Sequence, residues 1–124
     1  MTKKSVITST QLSEYVLEAI DEVKGKEVLS IDLREIQNSV SDFFIICHGS
    51  SDTHVEAIAR SVEKHLDLEI GENPMNKEGT DKADWILLDY FNVVVHIFKE
   101  EARRFYNLEK LWADADVKEI EHTF

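Results

Sequence analysis

The sequence predicts an α/β fold in which one mixed β-sheet is flanked by helices within a single domain. Its 124 residues are the ordinary length of one domain. A helical pattern over residues 52–66 lies between strand-like segments, which favours a crossover connection with parallel strands. Residues 84–98 contain two more apolar segments separated by a short turn, which predicts an antiparallel hairpin. The predicted order of elements is therefore α-β-β-α-(β)-β-β-α.

The first predicted elements are a helix and a strand. Ser9 or Thr10 can cap the start of the helix, and Gly25 ends it. Apolar residues recur between them at every third or fourth position and mark one buried stripe: Leu12, Tyr15, Val16, Ala19, Ile20 and Val23. Residues 28–33 alternate between apolar and polar and predict a strand, and residues 37–42 form a polar turn after it.

A second strand and helix follow that turn. The segment FFIIC, residues 43–47, is continuously apolar, as expected of a strand that is buried on both faces. HGSS, residues 48–51, leads into a helix that Ser51 or Asp52 can cap. The buried stripe predicted for this helix consists of Val55, Ile58, Ala59, Val62 and Leu66. Residues 68–79 form a turn-rich connection with one short strand.

The closing hairpin has two unlike faces. If Phe91 and Asn92 form a two-residue turn, Tyr90 pairs with Val93. One face is apolar apart from a phenol and must be covered by helices: Ile86, Leu88, Tyr90, Val93, Val95 and Ile97. The other face holds Trp85, Leu87, Asp89, Val94, His96 and Phe98. Because Phe91 suits a positive φ poorly, a longer turn with Asn92 in the left-handed region stays open, and a one-residue slip would exchange the faces.

The second of these faces allows two interpretations. Apolar side chains with polar groups among them are typical of a binding surface, and tryptophan is favoured at the centre of such surfaces. Alternatively, the last helix or the connection around residues 70–80 covers the face, and Asp89 and His96 form a buried, satisfied pair. The register places these two residues at diagonal positions within reach of each other.

The last helix is predicted to begin near Glu100. Its apolar residues are Ala102, Phe105, Tyr106, Leu108, Leu111 and Trp112, while Arg103 and Arg104 belong to a solvated helix face. The acidic tail after this helix is expected to fray. We therefore predict an N-terminal extension at residues 1–8, a domain at 9–113 and an acidic tail at 114–124.

Charge and composition limit the classes of partner. The net charge of -11 repels RNA, DNA and anionic lipid, because affinity for phosphates depends on Lys and Arg. We therefore expect a protein partner, little direct nucleic-acid contact and no membrane. A single cysteine, Cys47, excludes an internal disulfide and is predicted to be a small buried apolar residue. The first twelve residues lack the apolar segment of a signal peptide, so a cytoplasmic location is expected.

The strongest enzyme-like pattern is HGSS between a buried strand and a helix. Nucleotidyltransferases hold triphosphates in this way and also need two carboxylates for Mg²⁺. Asp67 and Glu69 offer such a pair, but no basic set is present for the phosphates and Asp67 is close enough to the helix to belong to it. A nucleotidyltransferase therefore stays as the alternative function. His48 and His54 form no recognisable ligand set, so we predict no catalytic residue, metal or cofactor.

Two long segments resemble the ribosomal silencing factor family, also called Iojap-like. They are SDFFIICHGSSDTHVEAIA (41–59) and WILLDYFNVVVHIFKEEARRFYNLEKLW (85–112), and Lys77-Glu78-Gly79 also fits. The resemblance covers most of residues 10–115. It implies a nucleotidyltransferase-like fold without the catalytic apparatus, so that HGSS would be a relic. It also implies a non-enzymatic factor of the bacterial cytoplasm, with relatives in mitochondria and plastids.

The resemblance also implies a partner and a site. Family members bind ribosomal protein number fourteen of the large subunit where the small subunit joins, which blocks subunit association and lowers translation when nutrients are short. They form homodimers when free. The implied partner-binding residues lie in the hairpin and just after it: Trp85, Leu87, Asp89, His96, Phe98 and Lys99. The chain departs from the family at Phe91-Asn92, where Gly and an acidic residue are usual, and this bears on the turn geometry.

Overall fold

The computed structural model describes residues 7–39, 41–112 and 114–121. Most of the predicted N-terminal extension, Val40 of the predicted turn and residues 122–124 of the predicted tail lie outside the described residues. The elements in chain order are α1 (Ser9–Glu22), β1 (Lys26–Asp32), β2 (Phe43–Gly49), α2 (Asp52–Ile70), β3 (Asn76–Glu78), β4 (Trp85–Asp89), β5 (Val93–Lys99), α3 (Glu100–Tyr106), α4 (Leu108–Leu111) and β6 (Asp116–Glu119). The predicted α/β order is confirmed, and the structure adds α4 and β6.

The six strands form one mixed sheet in the order β3-β4-β5-β2-β1-β6. The two central strands, β2 and β5, are parallel, as the crossover through α2 requires. The other neighbouring pairs among the described residues are antiparallel. All seven residues of β2 are buried, which confirms the prediction from its continuous apolar run.

Helices α1 and α2 cover one face of the sheet, which we call the closed face. The stripe predicted for α2 is fully buried, and on α1 the stripe is buried except that Tyr15 and Val23 are half-buried. The six apolar hairpin residues assigned to this face are buried under the two helices, as predicted. Burying each large side chain of this kind contributes about 1.5–3 kcal/mol. Cys47 lies in the same core, and burial raises the pKa of its thiol to about 12.

The N-termini of the two helices are capped by side chains. The predicted Ser51 cap of α2 is confirmed, because its hydroxyl accepts a hydrogen bond from the backbone N–H of His54. The cap of α1 is Thr8, so the prediction of Ser9 or Thr10 is wrong by one or two residues. Gln11 explains the difference. Its backbone donates to the Thr8 hydroxyl and its side chain accepts from the Thr8 N–H, which completes a capping box.

Helices α3 and α4 cover part of the opposite face, which we call the docking face because it holds the residues predicted to bind a partner. The predicted last helix is interrupted, and two of its apolar residues, Phe105 and Leu111, are 81% and 73% exposed. The helix does not continue through Asn107, which adopts a left-handed conformation with φ of 49° between α3 and α4. The residues beyond this break therefore point in other directions than one continuous helix would give them. Leu108 and Trp112 still pack against the docking face.

The predicted frayed tail is wrong for residues 116–119. They form β6, which pairs antiparallel with β1 from Asp116 opposite Asp32 to Glu119 opposite Leu29. Ile120 then donates its backbone N–H to Val28 at 2.9 Å. The free edge of β1 provides these backbone hydrogen bonds, which an acidic composition does not prevent. The division at residues 8 and 113 stays a prediction.

Among the residues that the structure describes, no helix has both the length and the apolar character needed to cross a membrane.

Candidate functional site

The hairpin between β4 and β5 has the predicted two-residue turn. Tyr90 donates its backbone N–H to Val93 at 2.9 Å, and Phe91 has a φ of 74°. A bulky residue rarely takes this conformation. The Asp89 carboxylate stabilises it by accepting the backbone N–H of Phe91 at 2.8 Å. The longer turn with Asn92 in the left-handed region is therefore wrong, and the predicted assignment of faces holds.

Asp89 and His96 lie on the same face but do not pair with each other. In the register of the hairpin, His96 is opposite Leu87 and Asp89 is opposite Val94. The Asp89 carboxylate accepts the backbone N–H of Phe91 in the turn. His96 Nδ1 instead accepts a hydrogen bond from the indole Nε1–H of Trp85 at 3.1 Å. The interpretation of a mutual pair between Asp89 and His96 is therefore wrong.

The six predicted partner-binding residues divide by depth. Trp85, Leu87, Asp89 and Lys99 are half-buried and reach the surface. His96 is 4% exposed and Phe98 is fully buried, because α3 and α4 cover their side of the sheet. These two residues form the floor beneath the surface rather than part of the surface itself.

Trp85 lies at the centre of an aromatic cluster. Its ring packs on Phe98, with 4.8 Å between the centroids, and on Tyr106 of α3 at 4.9 Å. The ring of Phe105 meets Tyr106 edge to face at 5.2 Å. Gly79 packs directly against the backbone of Trp85. Its φ is 79°, and a Cβ atom added to it would lie 1.9 Å from the Trp85 carbonyl oxygen.

Phe105 and Tyr106 are surface residues that the sequence analysis did not include in the candidate site. Tyr106 is 51% exposed and Phe105 more so. Adjacent residues on a helix point about 100° apart, so two neighbouring aromatics cannot both face one narrow core, and this signal was available in the sequence. We call the set of Trp85, Leu87, Asp89, Phe105 and Tyr106 the Trp85 surface.

Lys99 is held by two carboxylates at the edge of this region. Its ammonium group lies 3.0 Å from Asp52 at the start of α2 and 3.8 Å from Asp84 just before β4. The hydrogen bond to Asp52 raises the pKa of Lys99. The cation therefore stays charged and links the beginning of β4 to the beginning of α2.

A buried arginine joins the helices of the docking face to the sheet. Arg103 is 2% exposed and donates to Glu109 at 3.3 Å and to Nδ1 of His48 at 3.0 Å. Burial is the main cause that lowers the pKa of His48, and the charge of Arg103 adds to it. The prediction that Arg103 belongs to a solvated face is wrong. No local pattern could reveal its burial, since His48 is 55 positions away in the chain.

Three potential metal-ligating groups, Glu27, His48 and Glu100, lie within 4.8 Å of one another. Arg104 already binds Glu27 at 2.9 Å and Glu100 at 3.3 Å, and its hydrogen bond lowers the pKa of Glu27. His48 Nδ1 is occupied by Arg103. The cluster is thus part of an arginine ion-pair network, which neutralises the carboxylates without a metal.

The HGSS loop is held by structural hydrogen bonds. His54 Nδ1 accepts the backbone N–H of Ser50 at 2.9 Å, and its Nε2 lies 2.7 Å from the carbonyl oxygen of Val23. Asp52 places a carboxylate in the first turn of α2, where a nucleotide phosphate would need positive potential.

The acidic pair invoked for Mg²⁺ is not on a strand. Asp67 and Glu69 both lie within α2, and Asp67 accepts a hydrogen bond from the side chain of Asn73. Residues two apart on a helix point to different sides, so they do not form the strand-borne carboxylate pair of a nucleotidyltransferase. The arrangement of Asp67 and Glu69 predicted for that alternative is therefore wrong.

Comparison with known proteins identifies relatives over nearly the whole chain. A family model described as "Ribosomal silencing factor during starvation" matches residues 6–124. The Bacillus subtilis ribosomal silencing factor is 43% identical over 103 residues, which cover 83% of this chain and 86% of that protein. A mouse protein named for mitochondrial assembly of the ribosomal large subunit is 36% identical over 74 residues, which cover 58% of this chain and 32% of that protein.

The fold is also found in a crystal structure of a Chromobacterium violaceum protein. The TM-score is 0.80 at 31% sequence identity, and the match covers 86% of this chain and 87% of that chain.

Proposed function

This chain belongs to the ribosomal silencing factor family, and from that premise we propose that it docks on the large ribosomal subunit and blocks its association with the small subunit. The contact on the large subunit is ribosomal protein number fourteen, as the family resemblance implies, and the result is repression of translation in the bacterial cytoplasm. The observation that supports this most is the Trp85 surface, where a half-buried tryptophan lies among exposed aromatics on a sheet face that is only partly covered. The mouse relative's name also refers to the large subunit.

The charge of the chain supports a protein contact on the ribosome. With a net charge of -11, the chain is repelled by the phosphates of ribosomal RNA. The Trp85 surface instead offers aromatic rings, which are enriched at the centres of protein interfaces. The partner site on the ribosome should therefore be a protein surface that accepts apolar side chains.

The proposed mechanism is steric and involves no covalent step. A standard interface buries about 800 Å² on each partner, which is roughly a tenth of the 7603 Å² that this chain exposes. The remainder of the bound molecule projects from the large subunit into the space that the small subunit needs. We further propose, from the family resemblance, that the free protein is a homodimer.

Sedimentation with separated ribosomal subunits tests the proposal. The purified protein should migrate with the large subunit in a sucrose gradient, and fewer joined particles should form when both subunits are present. Migration at the top of the gradient with joining unaffected would contradict the proposal.

Two variants locate the interface in the same assay. Trp85→Ala and Leu87→Ala should each lose large-subunit binding by at least tenfold, since truncation of a central aromatic or aliphatic anchor costs about 2 kcal/mol or more. The matched control is Leu68→Ala, because Leu68 is 70% exposed on α2, on the opposite side of the sheet. If the hairpin variants bind like the control, the interface lies elsewhere.

A further inference from the structure

We propose that His96 is a positioning residue, which fixes the indole of Trp85 so that the docking partner meets only its carbon ring. The inference rests on the proposed docking function and refines it in one respect. It states the chemistry of the complementary site, which is an apolar cleft without a hydrogen-bond acceptor for the indole N–H.

The hydrogen bond between the two side chains determines the tautomer of His96. An indole nitrogen is a donor only, so the 3.1 Å contact from Trp85 Nε1 requires an unprotonated Nδ1 on His96. The imidazole is therefore neutral and carries its proton on Nε2. Any change that removes this acceptor leaves the indole N–H without its partner.

The imidazole is rigidly placed before it meets the indole. His96 lies in β5, where it is opposite Leu87 of β4 and level with Ile46 of β2. Its ring contacts Phe44 edge to face at 4.7 Å and stacks with Phe98 at 6.4 Å and an interplanar angle of 14°. With 4% exposure it cannot itself form much contact with a partner, so its influence on docking passes through Trp85.

The indole is thereby held on three sides. His96 accepts its N–H, Phe98 lies against one part of the ring and Tyr106 against another. The remaining accessible part of Trp85 is carbon, because its one polar atom is already satisfied. Holding the ring in one orientation before docking removes part of the ordering cost that an interface side chain otherwise adds.

A matched pair of variants separates positioning from simple filling of space. Asparagine can place its side-chain oxygen where His96 has Nδ1, whereas leucine has a similar size and no acceptor. His96→Leu should weaken binding to the large subunit by about two- to tenfold, the range expected for one lost hydrogen bond. His96→Asn should restore affinity to within about twofold of the original chain.

The indole N–H signal in a ¹H–¹⁵N NMR spectrum reports on the bond directly. In the full chain the Trp85 signal should be shifted and slow to exchange with solvent, and Trp112 supplies a second indole signal as an internal reference. His96→Leu should speed exchange at Trp85 and leave Trp112 unchanged, and His96→Asn should preserve both signals. Trp85→Phe assigns the two signals.

The outcomes distinguish this inference from the proposed function. If Trp85→Ala loses binding while His96→Leu binds normally, the docking proposal stands and the positioning role is overturned. The positioning role is also overturned if both His96 variants lose binding equally with the Trp85 signal unchanged, since this indicates a general structural role. If Trp85→Ala itself binds normally, the docking site is wrong and the positioning role falls with it.

Discussion

The two faces of the sheet are built from different kinds of contact. The closed face is a continuous apolar core between α1, α2 and the strands, and its stability comes from excluded water and close packing. The docking face has a smaller apolar cluster and two sets of polar contacts. Arg103 joins the covering helices to His48 and Glu109, and Trp85 joins β4 to β5 through His96. Because α3 and α4 cover this face only in part, directional hydrogen bonds help to fix its geometry.

The largest difference between the faces should appear in stability after truncation of the hairpin. Ile97 is fully buried on the closed face, so Ile97→Ala should lower the free energy of unfolding by about 2–5 kcal/mol through lost burial and the cavity it leaves. Leu87→Ala on the docking face removes a half-buried side chain and should cost less than half as much. Urea denaturation followed by circular dichroism measures both, and equal costs would contradict the contrast between the faces.

The buried arginine provides the next test. Arg103→Ala should lower the free energy of unfolding by about 2–3 kcal/mol, because it leaves Glu109 and His48 without their shared partner. The estimate is below that for a fully buried ion pair because the Glu109 side chain is 26% exposed. Arg104→Ala is the control. That residue is 50% exposed, so its removal should cost no more than about 1 kcal/mol in the same denaturation experiment.

The pH dependence of the free energy of unfolding should change when His96 on the docking face is replaced. Burial lowers the pKa of His96 from 6.5 to about 4. The unfolded chain therefore takes up a proton near pH 6.5 while the folded chain resists until about pH 4. The stability that neutral His96 contributes is complete above pH 6.5 and is lost as the pH falls toward 4.

The variant His96→Leu removes this titration and keeps the others, including His48. Between pH 7 and pH 4, the original chain should lose more stability than His96→Leu in parallel urea denaturation curves. Parallel losses in the two proteins would mean that His96 titrates normally in the folded state.

The smallest effect on the free energy of unfolding is expected at the turn of the hairpin. Phe91→Gly should raise the free energy of unfolding by about 0.5–1 kcal/mol, because glycine accepts a φ of 74° without steric cost. Asn92→Gly is the matched control at the neighbouring position, where φ is not positive, and should lower stability by a similar amount. Thermal unfolding can compare the two, and equal shifts in Tm would indicate that the turn at Phe91 is unstrained.

The closed face was predictable because local periodicity determines it. The stripes of both helices and the apolar side of the hairpin follow from spacing alone. The docking face was harder to predict, because it depends on contacts between distant parts of the chain. Arg103 reaches His48, and β6 returns to the edge of β1. Phe105 and Tyr106 point outward from the last turn of α3, and Asn107 ends that helix directly after them.

The grouping of the candidate residues on one face was predicted correctly, whereas their depth beneath the surface was not part of the prediction. Alternation along β4 and β5 grouped Trp85, Leu87, Asp89, His96 and Phe98 on one side. Which of them lie below the surface depends on how α3 and α4 pack, and no pattern within the strands contains that information. Their roles in partner binding stay predictions until the variants are measured.

The buried thiol of Cys47 has a practical consequence for fluorescent labelling of the protein. A thiol whose pKa is raised to about 12 and which is fully buried reacts negligibly with maleimide reagents at neutral pH. A cysteine introduced at Phe105, which is 81% exposed beside Tyr106, would therefore be labelled selectively without removal of the natural thiol. Under the proposed function, a dye at that position would report arrival and departure of a ribosomal particle in real time.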